Sequence, residues 1–300
     1  MSLRLEMLRA ARKAPNLLLD AGDRVVHYLR GQLNVDGGGN NRAGASDLYY
    51  TVFVLEGLLA MGVDPPVDVI RPYLTSFCNG ANSSHPLDGL DFVHQTCLAR
   101  CWAALPAEEL DDDTADRIIK RIESHRSADG GYAPEVGAET GTVYHCFLAM
   151  GAYQDLEAET PEPVGLQHCI SALQTGDGAY ANEHDMKLGT TPATAAAATL
   201  MQELGVPVPT EVSDWLMARF HPDGGFLAMP EAPIPDLLST ATALHALAGM
   251  NVSLNDVSES CLDFVESLWT GACFRGHQID DAGDSEYTYY ALLALGHLSS

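Results

Sequence analysis

Lysine is almost missing from this chain: three residues of 300, Lys13, Lys120 and Lys187. Basic residues number 16 against 41 acidic ones, a formal net charge of −25. Such a surface repels phosphate backbones and anionic lipid, so nucleic acid is not an expected partner. Cysteines are few, seven in all, and no CxxC pair occurs. The expectation is reduced, mostly buried thiols. Neither an HExxH motif nor paired Cys/His spacing marks a zinc site. No apolar run approaches the ~18 residues that would span a membrane. The N-terminus carries Arg4, Arg9, Arg12 and Lys13 without an uninterrupted apolar stretch, and Glu6 argues against a transit peptide. Cytoplasm is therefore the default expectation. Linkers and low-complexity tracts are also missing. One domain over 1–300 is expected, with 1–23 as an N-terminal helical extension. Long period-two alternation is lacking too, which argues against strands.

What the chain does have is a repeat. Asp129-Gly130-Gly131-Tyr132 returns as Asp177-Gly178-Ala179-Tyr180 and as Asp223-Gly224-Gly225-Phe226. Weaker copies stand at Asp36-Gly37-Gly38-Gly39, Asn79-Gly80-Ala81-Asn82 and Gly271-Ala272-Cys273-Phe274. The last residues of these blocks lie 43, 50, 48, 46 and 48 positions apart. A period in this range marks a repeat architecture. Before each turn comes an amphipathic helix, such as the one around Asp116–Ile122. After it comes a helix that is apolar or small nearly all round, such as Thr191–Ala198. Charged-faced helices then form an outer ring and apolar helices an inner one. The expected fold is all-α: a closed α/α toroid of six helical hairpins, whose inner helices take up 47–62, 140–151, 191–204, 237–249 and 285–296. Gly62, Gly151, Gly205, Gly249 and Gly296 are expected to close them, with Leu105-Pro106 as the stop in the second unit.

The glycine turns, followed by Asp47-Leu48-Tyr49-Tyr50-Thr51, Asp236-Leu237-Leu238-Ser239-Thr240 and Glu286-Tyr287-Thr288-Tyr289-Tyr290, resemble the prenyltransferase and squalene-oxidase repeats. The resemblance runs from about Arg24 to the end and is closer to the protein prenyltransferase β subunit than to the two-barrel triterpene cyclases. It implies an isoprenoid chain, or its diphosphate, held inside the barrel. It also raises a helical partner protein. The known catalytic groups of that superfamily do not carry over. The zinc-binding D-x-C places its Asp on Asp236 but its Cys on Leu238, and the zinc-binding His falls on Tyr287. Zinc at the family position is therefore not expected. The acid of the cyclase motif D-x-D-D-T-A also falls on Leu238. The loop ahead of Asp236, residues 227–235, has no basic residue to grip a diphosphate.

Other groups are candidates in their place. Asp47, Asp91, Glu139, Asp236 and Asp284 stand at the starts of inner helices, where they serve as caps or as a ring of carboxylates around a mouth. Asp280-Asp281-x-x-Asp284 imitates an acidic Mg²⁺-binding motif, with Glu286 just beyond. His94 and His145 are candidate acid–base groups or structural histidines. Tyr50 and Tyr287, with Tyr49, Tyr289 and Tyr290, are either a wall for an isoprenoid or the seam that closes the ring. Three functions stay open: an isoprenoid-handling enzyme, a non-catalytic toroid that binds a peptide, lipid or partner protein, and an α/α-barrel hydrolase that uses two mouth carboxylates.

Overall fold

A computed structural model of the chain describes residues 2–78 and 87–299. The weak glycine block at 79–82 lies outside the described residues. Six helices form the inner ring: α4 (Leu48–Ala60), α6 (Phe92–Ala103), α8 (Val143–Asp155), α10 (Thr191–Glu203), α12 (Leu237–Gly249) and α14 (Ser285–Leu298). Each packs on the next, and α14 returns to α4, so the ring is closed. The outer helices are α3 (Gly22–Gly31), α5 (Val67–Cys78), α7 (Asp112–Glu123), α9 (Pro163–Ala172), α11 (Thr210–Met217) and α13 (Asn255–Ser267). The one ladder among the described residues pairs Gly39–Asn40 with Ser46–Asp47, antiparallel.

The composition explains the two layers. Helix α7 buries Thr114, Ile118 and Ile122, while Asp112 and Asp113 open it and Lys120 and Arg121 close it, which complements its dipole. Helix α10 buries nine residues, nearly all Ala or Thr, because it has neighbours on every side. Because hairpins alternate outer and inner helices, the inner helices run parallel. Their N-termini gather at one end, the mouth, and their C-termini at the other, the floor.

In three units a repeated Asp and Thr hold the turn to its inner helix. Phe226 N–H donates to Thr240 Oγ1 at 2.9 Å, and Thr240 Oγ1–H donates to Asp236 O at 2.7 Å. The last unit repeats this with Phe274, Thr288 and Asp284, and the first uses Gly39, Thr51 and Asp47. The cap-to-Thr spacing of four residues is thus a structural staple.

The closing glycines divide into two kinds. Gly62 and Gly205 take positive φ, 72° and 68°, just past their helices. Gly151 and Gly296 instead lie inside α8 and α14, and Gly249 is the last residue of α12. Gly296 has a different purpose. A Cβ there would stand 2.0 Å from Ala10 O, so the glycine admits the backbone of α1 (Leu3–Ala11). That helix crosses the floor and packs on α4, α8 and α14. The N-terminal extension is therefore a plug, a role the sequence does not announce. Gly296→Ala is expected to lower stability by about 1–3 kcal/mol through this backbone clash. Gly31→Ala, with nothing within 4 Å of the added methyl, should be close to neutral. Urea denaturation of the two variants checks the contrast.

Candidate functional site

The inner ring encloses a cavity of about 390 Å³, floored by Leu3 and Met7 of the α1 plug. This volume falls within the roughly 300–1,000 Å³ of small-molecule sites. Its walls are helical stripes. On α4 the stripe is Tyr49, Val52 and Phe53; on α14 it is Glu286, Tyr289, Tyr290 and Leu293. Those spacings put one face of each helix toward the axis. Opposite, α8 contributes Tyr144 and Phe147, and α10 contributes the small Ala195 and Ala196. The aromatic rings touch: Tyr49–Phe53 centroids are 5.0 Å apart and Phe53–Tyr290 5.6 Å.

Of the candidate acids and histidines Glu286 lines this cavity, and of the candidate wall tyrosines Tyr49, Tyr289 and Tyr290 do. Glu286 sits two positions past the cap of α14. Tyr49 Oη–H donates to Glu286 Oε1 at 2.6 Å. Burial pushes the Glu286 carboxyl above the usual range, toward its neutral acid form.

The aspartates at the mouth are caps. Asp47 accepts from Tyr49 N, Asp91 from His94 N, Asp236 from Ser239 N and Asp284 from Tyr287 N. The third and fourth inner helices are capped by Thr142 and Thr190 instead, and Glu139 is an exposed loop residue. Asp236 is also held by Ser239 Oγ–H at 2.8 Å, and burial raises its pKa.

His94 lies between two of these caps, with Nδ1 2.8 Å from Asp91 Oδ1 and Nε2 3.4 Å from Asp47 Oδ1. Its hydrogen bond to Asp47 pushes its pKa up to about 9, so it is a structural cation at neutral pH. A raised pKa stabilises the fold fully below the unfolded-state value of about 6.5 and loses that effect as pH rises through about 9. Wild type should therefore exceed His94→Gln by about 1 kcal/mol near pH 6, allowing for solvent screening, and the gap should close by about pH 10. Thermal melts across that range test it.

Several candidates lie away from the cavity. His145 pairs with Thr142 Oγ1 at 2.7 Å and stacks edge-on with Phe92, and burial lowers its pKa. Tyr50 and Tyr287 are half-buried and line no part of it. Each is one residue from a lining position, and on a helix that is a turn of about 100°. The expected Mg²⁺ site also does not assemble. Arg42 spans Asp280 and Asp284, with Nε 2.8 Å from Asp284 Oδ2 and NH2 2.8 Å from Asp280 Oδ2, and this pairing holds Asp280 below the usual carboxylate range. Asp281 is exposed. The guanidinium supplies the counter-charge expected of a divalent cation. Among the described residues no three His, Cys, Asp or Glu converge on a metal position. At the family's zinc position, Asp236 is a cap, Leu238 lines the cavity and Tyr287 lies beneath Arg42, whose Cζ is 5.7 Å from its ring centroid. These side chains do not fit zinc.

Sequence reasoning missed the floor. Arg4 of α1 reaches Glu56 at 3.2 Å and Asp155 at 3.1 Å, and it also donates to Ala103 O. Arg100 stands 3.9 Å from Glu56. Burial raises the Asp155 pKa to about 6. The available signal was a charge inside an otherwise apolar helix, as with Glu56 in α4. His245 also lines the cavity, with Nδ1 3.0 Å from His297 Nε2. Burial lowers these two pKa values to about 4 and about 3.

A closed ring of parallel inner helices around an apolar, plugged cavity defines an α/α toroid. The family model described as the prenyltransferase alpha-alpha toroid domain matches residues 73–208 and 193–299. The chain belongs to that family. Among solved structures, Candida albicans protein geranylgeranyltransferase-I complexed with GGPP is similar, with a TM-score of 0.67 at 15% identity over 90% of this chain and 89% of that one. A variant of the type II terpene cyclase MstE from Scytonema, bound to geranylgeranyl dihydroxybenzoate, has a TM-score of 0.60 at 14% identity over 95% and 97%. A polysaccharide lyase reaches 0.59 at 14% over 93% and 96%. At these identities the likeness establishes the fold alone, and this fold hosts unlike chemistries. No curated protein sequence matches the chain. Among the described residues no helix is long and apolar enough to cross a membrane.

Proposed function

We propose that the barrel binds an isoprenoid and that Glu286 acts on it as a general acid, in the manner of a protonation-initiated terpene cyclase. The observation that carries this reading is the half-buried Glu286 carboxyl, hydrogen-bonded to Tyr49 and opening on an aromatic-lined cavity. Its position supports the assignment. In the repeat resemblance, the cyclase acid and the prenyltransferase thiolate both fall on Leu238, two residues past the cap Asp236. Glu286 is two residues past the cap Asp284, on the adjacent helix. The acid occupies the same rung, one repeat further round the ring.

In the proposed step Glu286 transfers its proton to an alkene carbon of the substrate. The π pair forms the new C–H bond, and the positive charge is left on the neighbouring carbon. The faces of Phe53 and Tyr290 stabilise that charge. Loss of a proton from the product cation ends the sequence, and solvent protons reload the carboxylate. The substrate in this reading carries no diphosphate, because Arg42 is already committed to Asp280 and Asp284.

The test is incubation with farnesol, geranylgeraniol and squalene, followed by gas chromatography–mass spectrometry and binding calorimetry. Cyclised product is expected. Binding without product would leave a non-catalytic isoprenoid-binding toroid, and no binding would overturn the reading. Isoprenoid affinity should be unchanged by a metal chelator. A loss of more than about tenfold would restore the divalent-ion mechanism.

A further inference from the structure

The floor of the cavity is unlike its walls. Arg100 lines it with a side chain only 17% exposed. Its Nε has no hydrogen-bond partner among the described residues, and Glu56 Oε1 stands 3.9 Å from it. Glu56 is 1% exposed in its side chain, and its Oε2 has no hydrogen-bond partner. The buried Tyr289 hydroxyl stands beside Arg100 and makes no hydrogen bond of good geometry. A charged donor buried without an acceptor costs more than the ~1–3 kcal/mol of a neutral one, and here the shortfall borders the cavity.

We propose that this floor receives the hydroxyl end of an isoprenoid alcohol, with Arg100 as the donor that recognises it. The proposal rests on the isoprenoid reading and names the substrate class. A hydroxyl suits the place because it both accepts and donates. It can take a hydrogen bond from Arg100 and return one to Tyr289, which lines the cavity with it. An anionic head group suits it poorly. Arg4 and Arg100 already face Glu56 and Asp155, two positive groups against two carboxylates. A third buried negative charge would have no partner. A pure hydrocarbon would leave the donors unsatisfied.

The polar floor also orients the chain. Glu286 lies two residues past the cap of its helix, and Arg100 lies nine past Asp91. At 1.5 Å per residue, seven residues separate the two levels by roughly 10 Å along the barrel axis. With its hydroxyl on Arg100, an isoprenoid places an alkene farther along its chain at Glu286, so the acid protonates the end remote from the oxygen.

Calorimetry with farnesol, farnesene and farnesoic acid tests this on wild type, Arg100→Met and Tyr289→Phe. Wild type should bind farnesol about tenfold tighter than farnesene, and farnesoic acid no tighter than farnesol. Arg100→Met should reduce farnesol to the farnesene level while leaving farnesene unchanged. Tyr289→Phe, which removes a hydroxyl without removing volume, should lose part of the preference. Should Arg100→Met fail to fold, the wild-type ranking and Tyr289→Phe decide. Equal binding of farnesol and farnesene to wild type would overturn the proposal and leave the floor to water, with the isoprenoid reading intact. Tightest binding of the acid would overturn it in favour of an anion site. Failure of all three ligands would instead remove the isoprenoid reading on which it rests.

Discussion

Glu286→Gln is expected to lower product formation by about 10²–10⁴-fold, the range a positioned general acid contributes, while isoprenoid affinity changes by less than about twofold. The substitution keeps the volume, and its amide oxygen still accepts from Tyr49 Oη, so the aromatic wall stays packed. Only the transferable proton is lost. Because the acid must be protonated to act, and burial raises its pKa, the wild-type rate should fall as pH rises through that raised value. Asp236→Asn supplies the contrast. Asp236 caps α12 through Ser239, and Asn is also a good cap, so this variant should keep its rate. Product analysis of both variants across pH separates an acid from a cap. Equal losses in the two would mean that Glu286 serves the fold and not the chemistry.

Arg4→Met should be the most destabilising single change outside the apolar core. Arg4 is 11% exposed in its side chain and ties α1 to Glu56, Asp155 and the end of α6. Removing it strands buried carboxylates, which costs about 3–5 kcal/mol, or a melting-temperature drop on the order of 10 °C. Adding Asp155→Asn should recover part of the loss, because an amide needs no counter-charge. Limited proteolysis should find the segment after α1 newly cleavable, since the plug is held by this arginine and by the close approach at Gly296. Thermal melts of single and double variants decide it. A full loss that Asp155→Asn does not relieve would place the effect in packing and not in charge.

The reach of sequence reasoning follows from the range of the forces involved. Glycine blocks, apolar inner helices and capping aspartates are local or periodic signals, and they were sufficient for the six-hairpin toroid. The same regularity makes the capping residues stand out in the sequence. Asp47, Asp236 and Asp284 each cap an inner helix and accept from the Thr four residues on through their backbone carbonyl, so their recurrence reports structure. Glu286 departs from the repeat, since the same rung holds Tyr49, Tyr144, Pro192 and Leu238 in other units. Of the five tyrosines offered as wall or seam, Tyr49, Tyr289 and Tyr290 line the cavity, while Tyr50 and Tyr287 are turned away by one residue of helical phase. That phase depends on how each helix is rotated against its neighbours, which composition leaves undetermined when a helix is apolar all round.

By itself, then, the sequence determined a closed all-α ring, the places of its inner helices and the acids that cap four of them, because each is carried by neighbours along the chain. The tertiary structure alone decided what fills the ring. It set α1 across the floor, brought Arg4 to Glu56 and Asp155 from 52 and 151 residues away, closed Arg42 onto Asp280 and Asp284, and turned Glu286 inward beside Tyr49. Those contacts join residues that share no local pattern. They exist only because six parallel helices close on themselves and leave one buried space in which an unpaired charge is costly and a paired one is held in place.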